Sequence, residues 1–123
     1  MATVATALVV LVAAIHVYIV ILEMVLWRTP RGMRAFGTDQ PLADRSASLA
    51  ANQGLYNGFL VAGLVWGLLS GGPIGYQVQL FFLGCVVVAG VFGAATVSRR
   101  ILFVQALPAL LALAAVLIAG PAR

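Results

Sequence analysis

The sequence has little charge of either sign and no lysine: charged residues make up 8% of its 123 positions. A soluble domain carries about 25%. At roughly a third of that level the chain cannot cover a water-facing surface, which excludes an ordinary soluble fold and makes the bilayer its solvent. Acids are confined to Glu23, Asp39 and Asp44. Cys85 is the one cysteine, so no intramolecular disulfide forms, and it reads as a small packed hydrophobe. His16 is the one histidine. Catalytic zinc takes three protein ligands as a rule. His16 and Glu23 alone fall short of that set, and neither a metal nor a cofactor is expected. Without lysine, Gly71-Gly72-Pro73 cannot be a phosphate-binding loop. No pairing of nucleophile and base is legible.

What is present is apolar. Hydrophobic residues reach 63%. They fall into four segments, at about 4–27, 52–69, 78–97 and 101–119, which predict an all-α fold, a four-helix transmembrane bundle in a single domain. Each is near the ~20 residues that span a hydrocarbon core at ~1.5 Å per residue. The breaks carry turn residues: Arg28-Thr29-Pro30-Arg31-Gly32, Ser70-Gly71-Gly72-Pro73-Ile74-Gly75, Ser98-Arg99-Arg100 and Gly120-Pro121. The first segment lacks the basic flank of a signal peptide and exceeds its usual length, so it reads as a mature helix.

Residues 28–51 form the only long connection. Asp39-Gln40-Pro41 has the form of a helix start, with Asp39 or Gln40 as cap and Pro41 in the first turn. The second helix then extends back to position 41. Asp44 falls in its first turn, where the helix dipole favours an acid.

The seven arginines set the orientation. Arg28, Arg31, Arg34 and Arg45 lie in the first connection and Arg99 and Arg100 in the third, whereas Arg123 alone falls on the opposite side. In a four-pass protein the six-arginine side is cytoplasmic, and both termini lie outside the cytoplasm. The formal net charge of +4 would suggest nucleic acid in a soluble protein. Here the arginines are topology signals and headgroup contacts, and no nucleic acid partner is expected. Trp27, Trp66 and Tyr76 sit near segment ends as interfacial anchors. Small residues four apart, Gly54/Gly58, Gly63/Gly67, Ala89/Gly93 and Gly90/Ala94, predict close backbone approach, above all between the second and third helices.

Polar residues inside the apolar segments define a candidate site. Glu23 and His16 are seven residues apart, two helical turns, so both leave the first helix on nearly one face. An ionised acid at mid-membrane costs roughly 2.5–3.5 kcal/mol on insertion scales, so Glu23 demands an explanation. Its bland reading is an ion pair with Arg99 or Arg100. Counting along the helices puts Glu23 ~6 Å from the cytoplasmic end, Gln53 and Asn57 within ~8 Å of it, Thr96 in the last turn of the third helix and Gln105 ~6 Å into the fourth. Tyr56 adds a hydroxyl. His16 lies ~10 Å deeper. Taken singly, Asn57 or Gln105 reads as an interhelical hydrogen bond and Thr96 as a bond back to its own helix. Pro108 lacks an N–H and crowds the carbonyl of Val104, beside Gln105, which gives either a ligand-lining carbonyl or a simple kink.

Four stretches carry a resemblance: Ala14-Ile15-His16-Val17-Tyr18-Ile19 with Leu22-Glu23-Met24, Asn52-Gln53-Gly54-Leu55-Tyr56-Asn57-Gly58-Phe59-Leu60, Gly93-Ala94-Ala95-Thr96-Val97, and Val104-Gln105-Ala106-Leu107-Pro108. Together they resemble the small bacterial membrane proteins grouped as domain of unknown function 1304. The likeness covers nearly the whole chain, and the Asn-Gln-Gly-Leu-Tyr-Asn-Gly run is its most specific part. It implies four transmembrane helices in a bacterial inner membrane and marks the same polar residues. It implies no activity.

Four functions compete on these residues. In the first, the bundle binds a small lipophilic molecule, with Glu23 and His16 as acid and base and Gln53, Tyr56, Asn57, Thr96 and Gln105 as ligand-binding groups. Isomerase-like proton transfer is the chemistry such a site supports. The second is a proton-coupled transporter. The six-to-one arginine asymmetry opposes an antiparallel dimer there and leaves a parallel homo-oligomer. The third is the metal site already found short of ligands. The fourth is a structural role, since polar layers also specify helix pairing.

Overall fold

A computed structural model describes residues 1–121, so Arg123 lies outside the described residues. These residues hold helices and no strand. In chain order they are α1 (Ala2–Met24), α2 (Pro30–Phe36), α3 (Gln40–Ser70), α4 (Gly72–Thr96), a π-helical turn (Leu102–Ala106) and α5 (Leu107–Ala119). Three stretches are long and apolar enough to cross a membrane: Ala2–Met24, Gly72–Thr96 and Leu102–Ala119. α3 is longer than any of them, but Gln40, Asp44, Arg45, Asn52 and Gln53 dilute the hydropathy of its first half.

The chain divides into two units, Met1–Ile15 with Leu60–Arg123, and His16–Phe59. In the first unit, α4 presents a buried stripe of Gly75, Gln79, Leu83, Val86 and Gly90. Steps of three and four keep these side chains on one face. α5 answers with buried Ala109, Ala112, Ala115 and Val116. Val9 and Val12 of α1 and Leu64 of α3 complete this core. Sequence spacing predicts that glycines bring the second and third helices together. Gly63 and Gly67 do so, since a Cβ on Gly63 would collide with the Phe82 ring and one on Gly67 would stand 2.7 Å from Gln79 Cγ. Gly90 and Gly93 instead admit the chain that follows α4. A Cβ on Gly90 would stand 2.7 Å from the backbone nitrogen of Ala106, and one on Gly93 would stand 3.1 Å from Ile101.

The break at Pro108 differs in form from a simple kink. The turn before it widens, and the Leu107 N–H reaches Leu102 O, five residues back. A wider turn is one way a helix accommodates the ring that would crowd Val104 and the missing N–H. Between α3 and α4 the chain reverses at Gly71 and Gly72, with φ of 66° and 57°. Two consecutive left-handed residues suit glycine, which has no Cβ to clash.

The second unit holds the end of α1, α2 and the first part of α3. Arg28 to Gly32 reads in the sequence as a break, whereas the structure forms α2 there. It is a complete short helix: Thr29 caps it by accepting from Gly32 N at 3.3 Å, Pro30 occupies its start, and Gly37 closes it at φ 67°. α3 begins where Asp39-Gln40-Pro41 suggests, and the Leu42 N–H donates to Asp39 Oδ1 at 3.0 Å.

Candidate functional site

The last turns of α1 position Glu23. The helix is apolar on every side, so its acid has no polar face to turn toward. Glu23 is 6% exposed. A buried carboxyl group needs hydrogen-bonding partners. Asn57 supplies one from α3: its Nδ2 donates to Glu23 Oε1 at 2.6 Å. Gly54, one turn earlier on α3, permits the approach. A Cβ there would stand 3.2 Å from Glu23 Cβ and would collide with the Met24 side chain. Acid and amide are thus in contact, and the missing side chain at Gly54 leaves room for α1 beside them.

The other candidates in this unit are placed differently. His16 is completely buried. It precedes Glu23 by two turns, ~10 Å along the helix axis, beyond the reach of one hydrogen bond. Gln53 is exposed. Tyr56 is also exposed and stacks at a tilt near Phe59, with ring centroids 6.0 Å apart. Thr96 and Gln105 belong to the first unit. Thr96 Oγ1 donates to Phe92 O at 2.7 Å, the local bond that a helical threonine commonly makes. Gln105 lies half-buried within the π turn.

A cavity of about 300 Å³ adjoins Glu23. That is the lower end of the range for small-molecule sites. Met24, Val25, Trp27 and Arg28 line it from the end of α1 and the turn beyond, and Ala47, Ser48 and Ala51 line it from α3. Sequence reasoning assigned no role to Ala47, Ser48 and Ala51. The available signal was their spacing: three small residues within two turns leave room facing a bulky helix. Trp27 reads in the sequence as an interfacial anchor, and the structure adds a place in this wall. Its ring is fixed by an Nε1–H bond to Ser46 Oγ at 3.1 Å and by Phe36, with ring centroids 4.9 Å apart. Ser46 in turn donates to Leu42 O at 2.7 Å.

Chemically, Glu23 offers a carboxyl whose Oε1 is oriented by an amide, beside a space that Trp27 and small α3 residues define. Such a group can accept a hydrogen bond from a ligand or exchange a proton with it. Among the described residues no three of His, Cys, Asp and Glu gather in a way that would hold a metal ion. A family model described as "Protein of unknown function (DUF1304)" matches residues 10–117. No curated protein and no solved structure matches the chain.

Proposed function

The chain belongs to the DUF1304 family, and on that premise we propose that it is a multi-pass membrane protein whose Glu23 carboxyl binds a small lipophilic molecule. The observation that carries the reading is the buried Glu23, fixed by Asn57 and bordering a cavity. An acid kept inside an apolar helix costs stability and is, as a rule, retained for function. The cavity limits the ligand's bound part to a small group, and Trp27 offers that group an aromatic wall. Glu23 is the first acid–base candidate. His16, ~10 Å away along the axis, acts only on a ligand long enough to pass both.

α3 supplies a fourth crossing in this reading. Its 31 residues measure roughly 46 Å at ~1.5 Å each, more than the ~30 Å hydrocarbon core. Residues 51–70 fill the core and the turns from Gln40 to Leu49 stand outside it, which accounts for Asp44 and Arg45. The arginine asymmetry directs the α1–α3 connection to the cytoplasm and both termini away from it. A bacterial inner membrane is the compartment that agrees with the resemblance.

The test is a comparison of wild-type protein with Glu23→Gln, both purified from native membrane in mild detergent. Wild-type protein is expected to retain a lipophilic compound detectable by mass spectrometry. Glu23→Gln keeps shape and hydrogen bonding, and is expected to lose roughly tenfold of that occupancy, ~1.4 kcal/mol of affinity, with no fall in thermal stability. Equal retention by both proteins, or no retained compound in either, overturns the proposal.

A further inference from the structure

A second cavity, of about 470 Å³, lies wholly within the first unit. No residue of the Glu23 site lines it. The N-terminal turns of α1 contribute Thr3, Thr6 and Ala7, the end of α3 contributes Leu68, and the first two turns of α4 contribute Tyr76 and Gln79. Gln79 lies ~10 Å along α4 from Gly72, so the space runs from the helix ends well into the unit.

Its origin is legible in the side chains. α1 carries threonine and alanine where it meets this space, and the α3–α4 link carries no side chain at all. Further along α1, Val9 and Val12 belong to the core. Gln79 is 4% exposed, and its Nε2 donates to Gly67 O at 3.0 Å. That bond holds the amide at the inner end of the cavity. A space of this size falls within the ordinary range for small-molecule sites.

We infer that this cavity binds an uncharged amphiphile, with an oxygen-bearing head group among Thr3, Thr6, Tyr76 and Gln79 and an apolar body along Ala7 and Leu68. Among the described residues no charged side chain lines the space. Thr3, Thr6 and Ala7 are exposed while Gln79 is buried, so a head group leaves water as it reaches Gln79, and an ionised one would do so without a counter-charge, which is costly. Three hydroxyls can each donate or accept, so a hydroxyl or a carbonyl head is equally well received. The head-group chemistry is shared by neutral membrane lipids and by free lipophilic ketones or quinones.

Photolabelling tests the inference on the whole protein in detergent micelles. Three diazirine-bearing amphiphiles with the same alkyl chain are compared, one ending in glycerol, one in carboxylate and one in trimethylammonium. The glycerol probe is expected to label peptides containing Thr3–Ala7 or Tyr76–Gln79 about tenfold more than either charged probe, the ratio that ~1.4 kcal/mol supplies. Thr6→Leu and Ala7→Leu fill the space and are expected to abolish this labelling while the thermal midpoint holds. Tyr76→Phe removes one hydroxyl without changing volume, and should weaken labelling severalfold even if a filling variant fails to fold. Competition by unlabelled diacylglycerol identifies a membrane lipid as occupant, and competition by an alkyl benzoquinone identifies a free lipophile. Equal labelling by the three head groups, labelling unchanged in all three variants, or competition by neither compound overturns the inference.

Discussion

The bond from Asn57 to Glu23 joins α3 to α1 through polar side chains at 2.6 Å. It explains why an amide stands in an otherwise apolar turn of α3. Asn57→Leu would leave the buried carboxyl without this donor. The expected result is a loss of about 1–3 kcal/mol of stability, read as a lower thermal midpoint in detergent. Asn57→Gln should lose less, because a longer amide can still donate. A Leu variant as stable as wild type would show that the carboxyl has other sufficient partners. That Glu23 needed a donor was legible in the sequence, since a lone acid in an apolar helix cannot remain unpaired. Which amide supplies it was not. Gln53 and Asn57 share a helical face by spacing, yet one is exposed and the other holds Glu23. Position along a helix gives depth, and the choice between two residues one turn apart depends on where the neighbouring backbone passes. Thr96 illustrates the same limit: depth placed it in a polar layer, while its hydroxyl bonds the helix it belongs to.

Among the elements, the π turn shows how a proline inside a helix acts on its neighbours. Pro108 was readable as an interruption, because a missing N–H and a bulky ring are properties of the residue itself. The form of the interruption was not readable, since it depends on what packs against it. Here Gly90 gives the widened turn room, and Ala106 sits completely buried there. A Cβ at position 90 would meet backbone, which cannot rotate away as a side chain can. Gly90→Ala should therefore cost about 1–3 kcal/mol, as overpacked sites do. Gly58 has nothing within reach of an added Cβ, so Gly58→Ala in the same helical setting serves as the control. It should leave stability unchanged or raise it by up to about 1 kcal/mol. Equal effects at positions 58 and 90 would contradict the close approach. The short helix α2 was missed for a related reason. Thr29-Pro30 suits both a helix stop and a helix start, and nothing in the sequence alone decides between them.

For the whole molecule, the helical class and the presence of helices long and apolar enough to cross a membrane are legible in the composition. A chain with 8% charged residues has few surfaces to offer water, and runs of this length satisfy backbone groups in lipid only as helices. Orientation is a separate prediction from arginine placement. Reporter fusions at the two termini should both give an external location; a cytoplasmic signal from either would mean a different number of crossings or the opposite insertion. One more property follows from the link between α3 and α4. Between Ser70 and Gly72 only Gly71 lies outside a helix. In the proposed four-crossing arrangement, that turn is what must be carried to the far side, and it holds no charge and almost no polar side chain. The two helices can therefore enter together as a preformed hairpin, with no hydrated loop to drag through hydrocarbon. Biogenesis of this half of the protein should then be indifferent to the machinery that moves long polar segments, and should become dependent on it once a charged linker is spliced in after Gly71.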